Sequence, residues 1–83
     1  MSSLNDQGAA ALKRIRSARG ITVPELAESM AMHVDTLYRL ERGTANLMFA
    51  HVHLASKRLG LTPSGLLSEI AREVEAAEHA VAS

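Results

Sequence analysis

The segment Ile21 to Gly43, ITVPELAESMAMHVDTLYRLERG, restricts this chain more than any other. It reads as two short amphipathic helices separated by a tight turn. Thr22, followed three residues later by Glu25, forms a capping box in which each side chain satisfies a backbone N–H left open by the first turn. Pro24 is tolerated only in that first turn, where its missing N–H costs nothing. Leu26, Ala27 and Met30 share one face at helical spacing. The second helix of the pair is predicted from about His33 to Arg42, with Leu37 and Leu40 on its buried side and Gly43 placed to end it. Two helices this short cannot bury themselves, so they need others around them.

The flanking sequence supplies those helices, and no segment alternates as a strand does. A first helix is predicted from Asn5 or Asp6 to Arg19, with Leu12 and Ile15 inward and Gly20 as its stop. The first seven residues are expected to fray. A fourth helix is predicted from Asn46 or Leu47 to Leu59, with Asn46 as N-cap, Phe49, Val52, Ala55, Ser56 and Leu59 inward, and Gly60 as its stop. A fifth starts with Thr62 as N-cap and Pro63 as first helical residue, and runs toward Ala80. The fold class is all-α, a five-helix bundle in a single 83-residue domain. A compact pair with one helix polar and outward is the layout that places a helix in the DNA major groove.

The fifth helix is longer than the bundle needs. Leu66 and Leu67 are expected to close the core of a body spanning residues 1–67. Leu67, Ile70, Val74, Ala77 and Val81 form a narrow seam with charged flanks, and beyond Ile70 that seam is expected to find little to pack on within one chain. Residues 68–83 therefore read either as an Ala-rich tail or as the dimerisation element of the same domain.

Formal net charge is zero, with nine basic and nine acidic residues. Residues 1–60 hold eight Lys/Arg against five acids, and residues 61–83 hold Arg72 against Glu69, Glu73, Glu75 and Glu78. That is either an ordinary solvated surface or a mildly basic body that faces phosphate while an acidic tail faces away. Tyr38 and Phe49 are the only aromatic residues, too few for a base-stacking platform. Without cysteine there is no disulfide framework, zinc knuckle or thiol chemistry. No apolar run reaches the length of a membrane span and Met1 to Gly8 lacks a signal-peptide layout, so a cytoplasmic protein is expected, with no membrane partner. His51 and His53 point in different directions on a helix, and Glu75 with His79 offers only two ligands, so no metal site is expected. No nucleophile elbow, phosphate loop or paired carboxylates appear. Neither a cofactor nor an enzymatic activity is expected.

Leu12-Lys-Arg-Ile-Arg16, Gly20-Ile-Thr22, Leu26-Ala27, Leu37, Leu40-Glu-Arg-Gly43, Asn46, Val52, Leu59-Gly60-Leu61 and Leu66-Leu67 together resemble the Cro/C1-type (XRE-like, lambda-repressor-like) helix-turn-helix family of phage and bacterial repressors. The spacing agrees without insertion from about Leu12 to Leu67. The resemblance implies that Arg16 and Glu41 form a structural ion pair joining the first helix to the end of the third. It implies a base-reading surface of Val34, Asp35, Thr36, Tyr38 and Arg39, with Arg39 the best candidate for a bidentate contact to guanine. Asp35 is expected rather to help cap its helix. Contacts to the DNA backbone would come from Lys13, Arg14, Arg19, His33, Arg42, Thr44 and Asn46. The family often places a Gln at the start of the second helix to touch the backbone; Val23 stands there and cannot. Lys57 and Arg58 are expected on a solvated rear face.

The resemblance thus implies a sequence-specific double-stranded DNA-binding transcriptional regulator of bacterial, phage or plasmid origin, in its simplest form a homodimeric repressor on an inverted repeat. The competing expectation is a protein-interaction module, an antitoxin that masks a toxin partner or an antagonist that forms mixed dimers through the fifth helix. Neutral net charge and Val23 favour that second reading.

Overall fold

A computed structural model describes the backbone of residues 3–82 and the side chains of residues 3–80. Five helices follow one another: α1 Leu4–Ala18, α2 Val23–Ser29, α3 Val34–Glu41, α4 Phe49–Arg58 and α5 Pro63–Ala82. No strand occurs among the described residues, so the all-α reading holds. None of these helices is long and apolar enough to cross a membrane.

Helix starts follow from local chemistry. Glu25 N–H donates to Thr22 Oγ1 at 3.2 Å and Thr22 N–H to Glu25 Oε1 at 2.9 Å, the expected reciprocal cap of α2. The Thr22 N–H foremost, then the Thr22 hydroxyl and the Arg58 guanidinium, hold the Glu25 carboxyl below the usual glutamate range. Gly65 N–H donates to Thr62 Oγ1 at 3.0 Å, capping α5 behind Pro63.

Two starts differ from expectation. The helix α1 begins at Leu4 rather than fraying through residue 7, because Ser3 and Asp6 form a capping box of their own. The helix α4 is capped at Met48, not Asn46: the Met48 N–H donates to His51 Nδ1 at 3.0 Å. Asn46 stays exposed in the preceding loop.

The core runs through all five helices. Leu12 and Ile15 of α1, Leu26 and Met30, Leu37 and Leu40, Val52 and Leu59, and Leu66, Ile70 and Val74 close on one another. Ala9 and Ala11 are fully buried, and these small residues let α5 approach α1 closely. The ion pairs Arg14–Glu73 at 2.8 Å and Arg19–Glu69 at 3.0 Å fix the two as antiparallel, because one number rises as the other falls.

This packing corrects the reading of the fifth helix. Ile70 and Val74 are buried in the chain's own core, so the seam beyond Ile70 does find a partner within one chain. Leu67, expected to help close the core, is 38% exposed, and Ala77 is exposed. The Val81 side chain lies outside the described residues. Phe49, expected inward, points out with 62% of its surface exposed, because it begins α4 at the edge of the region that α5 covers.

Candidate nucleic-acid interface

The third helix owes its position to both of its ends. At its start, the backbone between α2 and α3 turns through Ala31, whose φ of 55° lies in the left-handed region normally left to glycine. Met30 caps α2, and Met32 N–H donates back to Ala27 O at 3.0 Å. His33 is the N-cap of α3 but makes no side-chain cap bond, and Asp35 stands in the first turn, where its carboxylate faces the positive end of the helix.

At its end, α3 is pinned by a buried charge pair. Arg16 Nε donates to Glu41 Oε2 at 2.7 Å and Nη2 to Oε1 at 3.0 Å, a bidentate contact. Arg16 Nη1 also donates to Ile21 O at 2.7 Å. One guanidinium thus joins α1, the approach to α2 and the last turn of α3. The side chains are 11% and 3% exposed, so solvent screens the pair little.

With Leu37, Leu40 and Glu41 facing inward, the residues left outside follow from 100° steps around the helix. Asp35, Tyr38, Arg39 and Arg42 stand together on the exposed face, spaced three, four and seven apart. Val34 and Thr36 flank it half-buried, and His33 precedes it exposed. Arg42, expected to serve only the DNA backbone, therefore shares the face of the base-reading residues.

The loop that follows is braced more than its sequence suggests. Thr44 Oγ1 and the Thr44 N–H both bond to Arg39 O, at 3.2 and 3.0 Å, so the Thr44 hydroxyl is spent on closing α3. Gly43 has φ 79°, and a Cβ there would collide with the Asp6 carboxylate of α1. Beside it, Asn5 Nδ2 donates to Ala45 O at 3.1 Å and Gly43 O at 3.4 Å, while Asn5 Oδ1 accepts from the Leu47 N–H at 2.7 Å. Nothing local in the sequence marks Asn5, because its partners lie about forty residues away.

Asn5→Ala is expected to cost roughly 1–2 kcal/mol in stability, by leaving those loop groups without their partner. It is also expected to weaken DNA binding several-fold at unchanged base preference. Urea unfolding and DNA titration of one preparation measure both effects.

Charge is distributed differently from the expected split into basic body and acidic tail. Arg14 and Arg19, expected on DNA phosphates, are engaged by Glu73 and Glu69, because antiparallel packing folds the acidic helix back onto the basic one. Arg58 pairs with Glu25. Among the described residues, Lys13, Arg39, Arg42, Lys57 and Arg72 enter no ion pair. Two of those five stand on the exposed face of α3. Asn46 is exposed in the loop that follows α3, while Val23 is buried. The surface offers a few well-placed cations and hydrogen-bonding groups, not a broad basic stripe.

The chain belongs to the helix-turn-helix domain family, whose profile matches residues 9–66, from α1 into the first turns of α5. Among solved structures it is similar to the clp gene regulator ClgR from Corynebacterium glutamicum, at 29% identity and a TM-score of 0.77 over 98% of this chain and 88% of that one. A second crystal structure of ClgR gives 30% identity and a TM-score of 0.74 over 86% of this chain and 92% of the other. No curated protein matches the chain.

Proposed function

We propose that this chain is a sequence-specific double-stranded DNA-binding transcriptional regulator, acting as a homodimeric repressor on an inverted-repeat operator in the cytoplasm. The observation that carries this reading is the exposed face of α3, with Asp35, Tyr38, Arg39 and Arg42 set side by side on a helix whose end is fixed by Arg16 and Glu41. A guanidinium offered from a rigid helix suits the paired acceptors on a guanine edge. A carboxylate beside it suits a cytosine amino group. Lys13, Arg42, His33 and Asn46 are left to meet phosphate. The likeness to ClgR, a gene regulator, supports the same class.

The dimer follows from the energetics of so small a contact surface. With Arg14 and Arg19 in exposed ion pairs that phosphate would have to displace, and few other cations beside α3, one copy neutralises few phosphates and the counterion-release contribution to affinity is correspondingly small. Two copies on a two-fold axis double it and read two half-sites about one helical turn apart. Selection from a pool of randomised duplexes tests this reading. It is expected to return an inverted repeat whose half-sites contain a G·C pair that depends on Arg39. Recovery of unrelated sequences would count against it.

The second reading, an antitoxin or mixed-dimer antagonist, is favoured by the internal pairing of α1 cations. It predicts an association nearly insensitive to salt, where DNA binding is steeply sensitive.

A further inference from the structure

Where the first turn of α1, the start of α4 and the middle of α5 meet, the surface opens into a groove of about 630 Å³. Leu4, Met48, Phe49 and Leu67 stand around it with 73%, 60%, 62% and 38% of their surface exposed. Glu75 and Glu78 line it toward the close of α5, and no basic residue lines it among the described residues. We propose that this groove is a binding site for a small lipophilic cation, its apolar body lying over Gly8 and Ala71 and its charge beside the two carboxylates. Binding itself does not depend on the DNA-binding reading; its consequence for the operator does.

Charge selects the class of ligand. Glu75 and Glu78 enter no ion pair among the described residues, whereas Glu69 and Glu73 of the same helix do. The one other polar side chain in the lining is Asn5, whose amide is already bonded to Ala45 O and the Leu47 N–H. An anion therefore finds no basic side chain here, and a sugar finds few free polar groups. A cation with an apolar body finds two acceptors at one end and apolar walls over the rest. Phe49 adds an aromatic face, which also attracts a cation. A second copy of the chain is less suited, because groove laid on groove sets carboxylates against carboxylates with no base on either side.

Size and shape agree with a small molecule. The volume lies within the roughly 300–1,000 Å³ of small-molecule sites, which are mostly apolar with a few polar groups. Gly8 keeps the floor of the groove open. It sits inside α1, where glycine weakens a helix relative to alanine. The chain's own packing does not require it. Its backbone is not left-handed, and outside its own helix a Cβ there would meet nothing nearer than Leu47, at an ordinary 3.6 Å. What the glycine preserves is space in the groove.

The groove also adjoins the reading surface. Asn5 lines it and holds the loop that follows α3, and Leu47 and Met48 at the end of that loop line it too. A cation seated there rests on the Asn5–Leu47 clamp and shields that bond from water. Occupancy thus bears on the loop beside the reading helix, and the cation acts as an effector of operator binding.

Calorimetric titration of the full chain in sodium buffer, with tetraphenylphosphonium and with tetraphenylborate, tests the proposal, because the two ions share size and shape and carry opposite charge. The cation is expected to bind at least about tenfold more tightly. The chain's formal net charge is zero, so such a preference reports the groove and not the whole molecule. Glu75→Gln with Glu78→Gln is expected to bring the two ions within about twofold of each other. Gly8→Ala is expected to raise the melting temperature, as alanine does inside a helix, yet to weaken cation binding at least about threefold. Absent or equal binding of the two ions by the wild type, a preference that survives the double variant, or a Gly8→Ala protein that binds as the wild type does, overturns the site. So does a dimer in sedimentation equilibrium that excludes the cation and that Phe49→Glu dissociates, which gives the groove to a second copy. Tetraphenylphosphonium is expected to change affinity for the selected duplex at least about threefold in the wild type and not in the double variant. An affinity unchanged with the cation bound overturns the effector role and leaves the site.

Discussion

Glu41→Ala is expected to destabilise the fold by about 3–5 kcal/mol, the effect typical of removing one partner of a buried ion pair. The size follows from what is left behind. Arg16 keeps one hydrogen bond, to Ile21 O, but its charge loses the Glu41 carboxylate, its one ion-pair partner among the described residues. Its side chain is 11% exposed, so water cannot take over without opening the junction of α1, α2 and α3. For a domain of this size that loss is a large part of the total stability. Replacing both partners, Arg16→Met with Glu41→Leu, is expected to cost much less, because no buried charge remains. Urea unfolding of the two variants and the wild type measures the difference. Equal losses in the single and double variants would mean that packing at this junction, not charge, sets the cost.

Arg39→Ala has the opposite profile. Arg39 is exposed and enters no ion pair among the described residues, so stability is expected to change by less than about 0.5 kcal/mol. Affinity for the selected operator is expected to fall by about 1–3 kcal/mol, or roughly five- to 150-fold, with preference relaxed at one base pair of each half-site. Arg42→Ala, on the same face one turn further on, serves as the comparison. A phosphate contact there lowers affinity for all sequences alike and reduces the salt slope by about one. Binding of matched and mismatched duplexes to the three proteins separates the two roles. An Arg39→Ala protein with full affinity and full preference would mean that α3 does not read bases through this face.

The fold was legible where structure follows from neighbours in sequence. Thr22 with Glu25, Thr62 with Pro63, and the 3.6-residue period of Leu26, Met30, Leu37 and Leu40 mark helices by chemistry that acts within one turn. It was less legible at helix ends whose caps break the usual preference. His51 caps α4 through a ring nitrogen, and nothing in its residue type announces that use. Apolar character alone places Phe49 and Leu67 inward, yet only the packing of α4 against α5 decides which turn of each helix is covered.

The candidate site divides along the same line. The outward face of α3 follows from periodicity once Leu37 and Leu40 are placed. The fate of Arg14 and Arg19 does not, because their partners, Glu73 and Glu69, lie at least fifty residues away and meet them only when α5 folds back antiparallel. The Asn5 clamp and the left-handed Ala31 escape notice for related reasons. One acts at long range, and the other places a residue with no turn signal where glycine is usual.

The most direct test of sequence-specific DNA binding is fluorescence anisotropy of the full chain against its own upstream intergenic DNA and an unrelated duplex, at two salt concentrations. Preferential binding to the upstream DNA is expected, saturating at two chains per site and weakening steeply as salt rises. Equal, weak binding to both that persists at high salt would contradict it and leave the fold serving a protein partner.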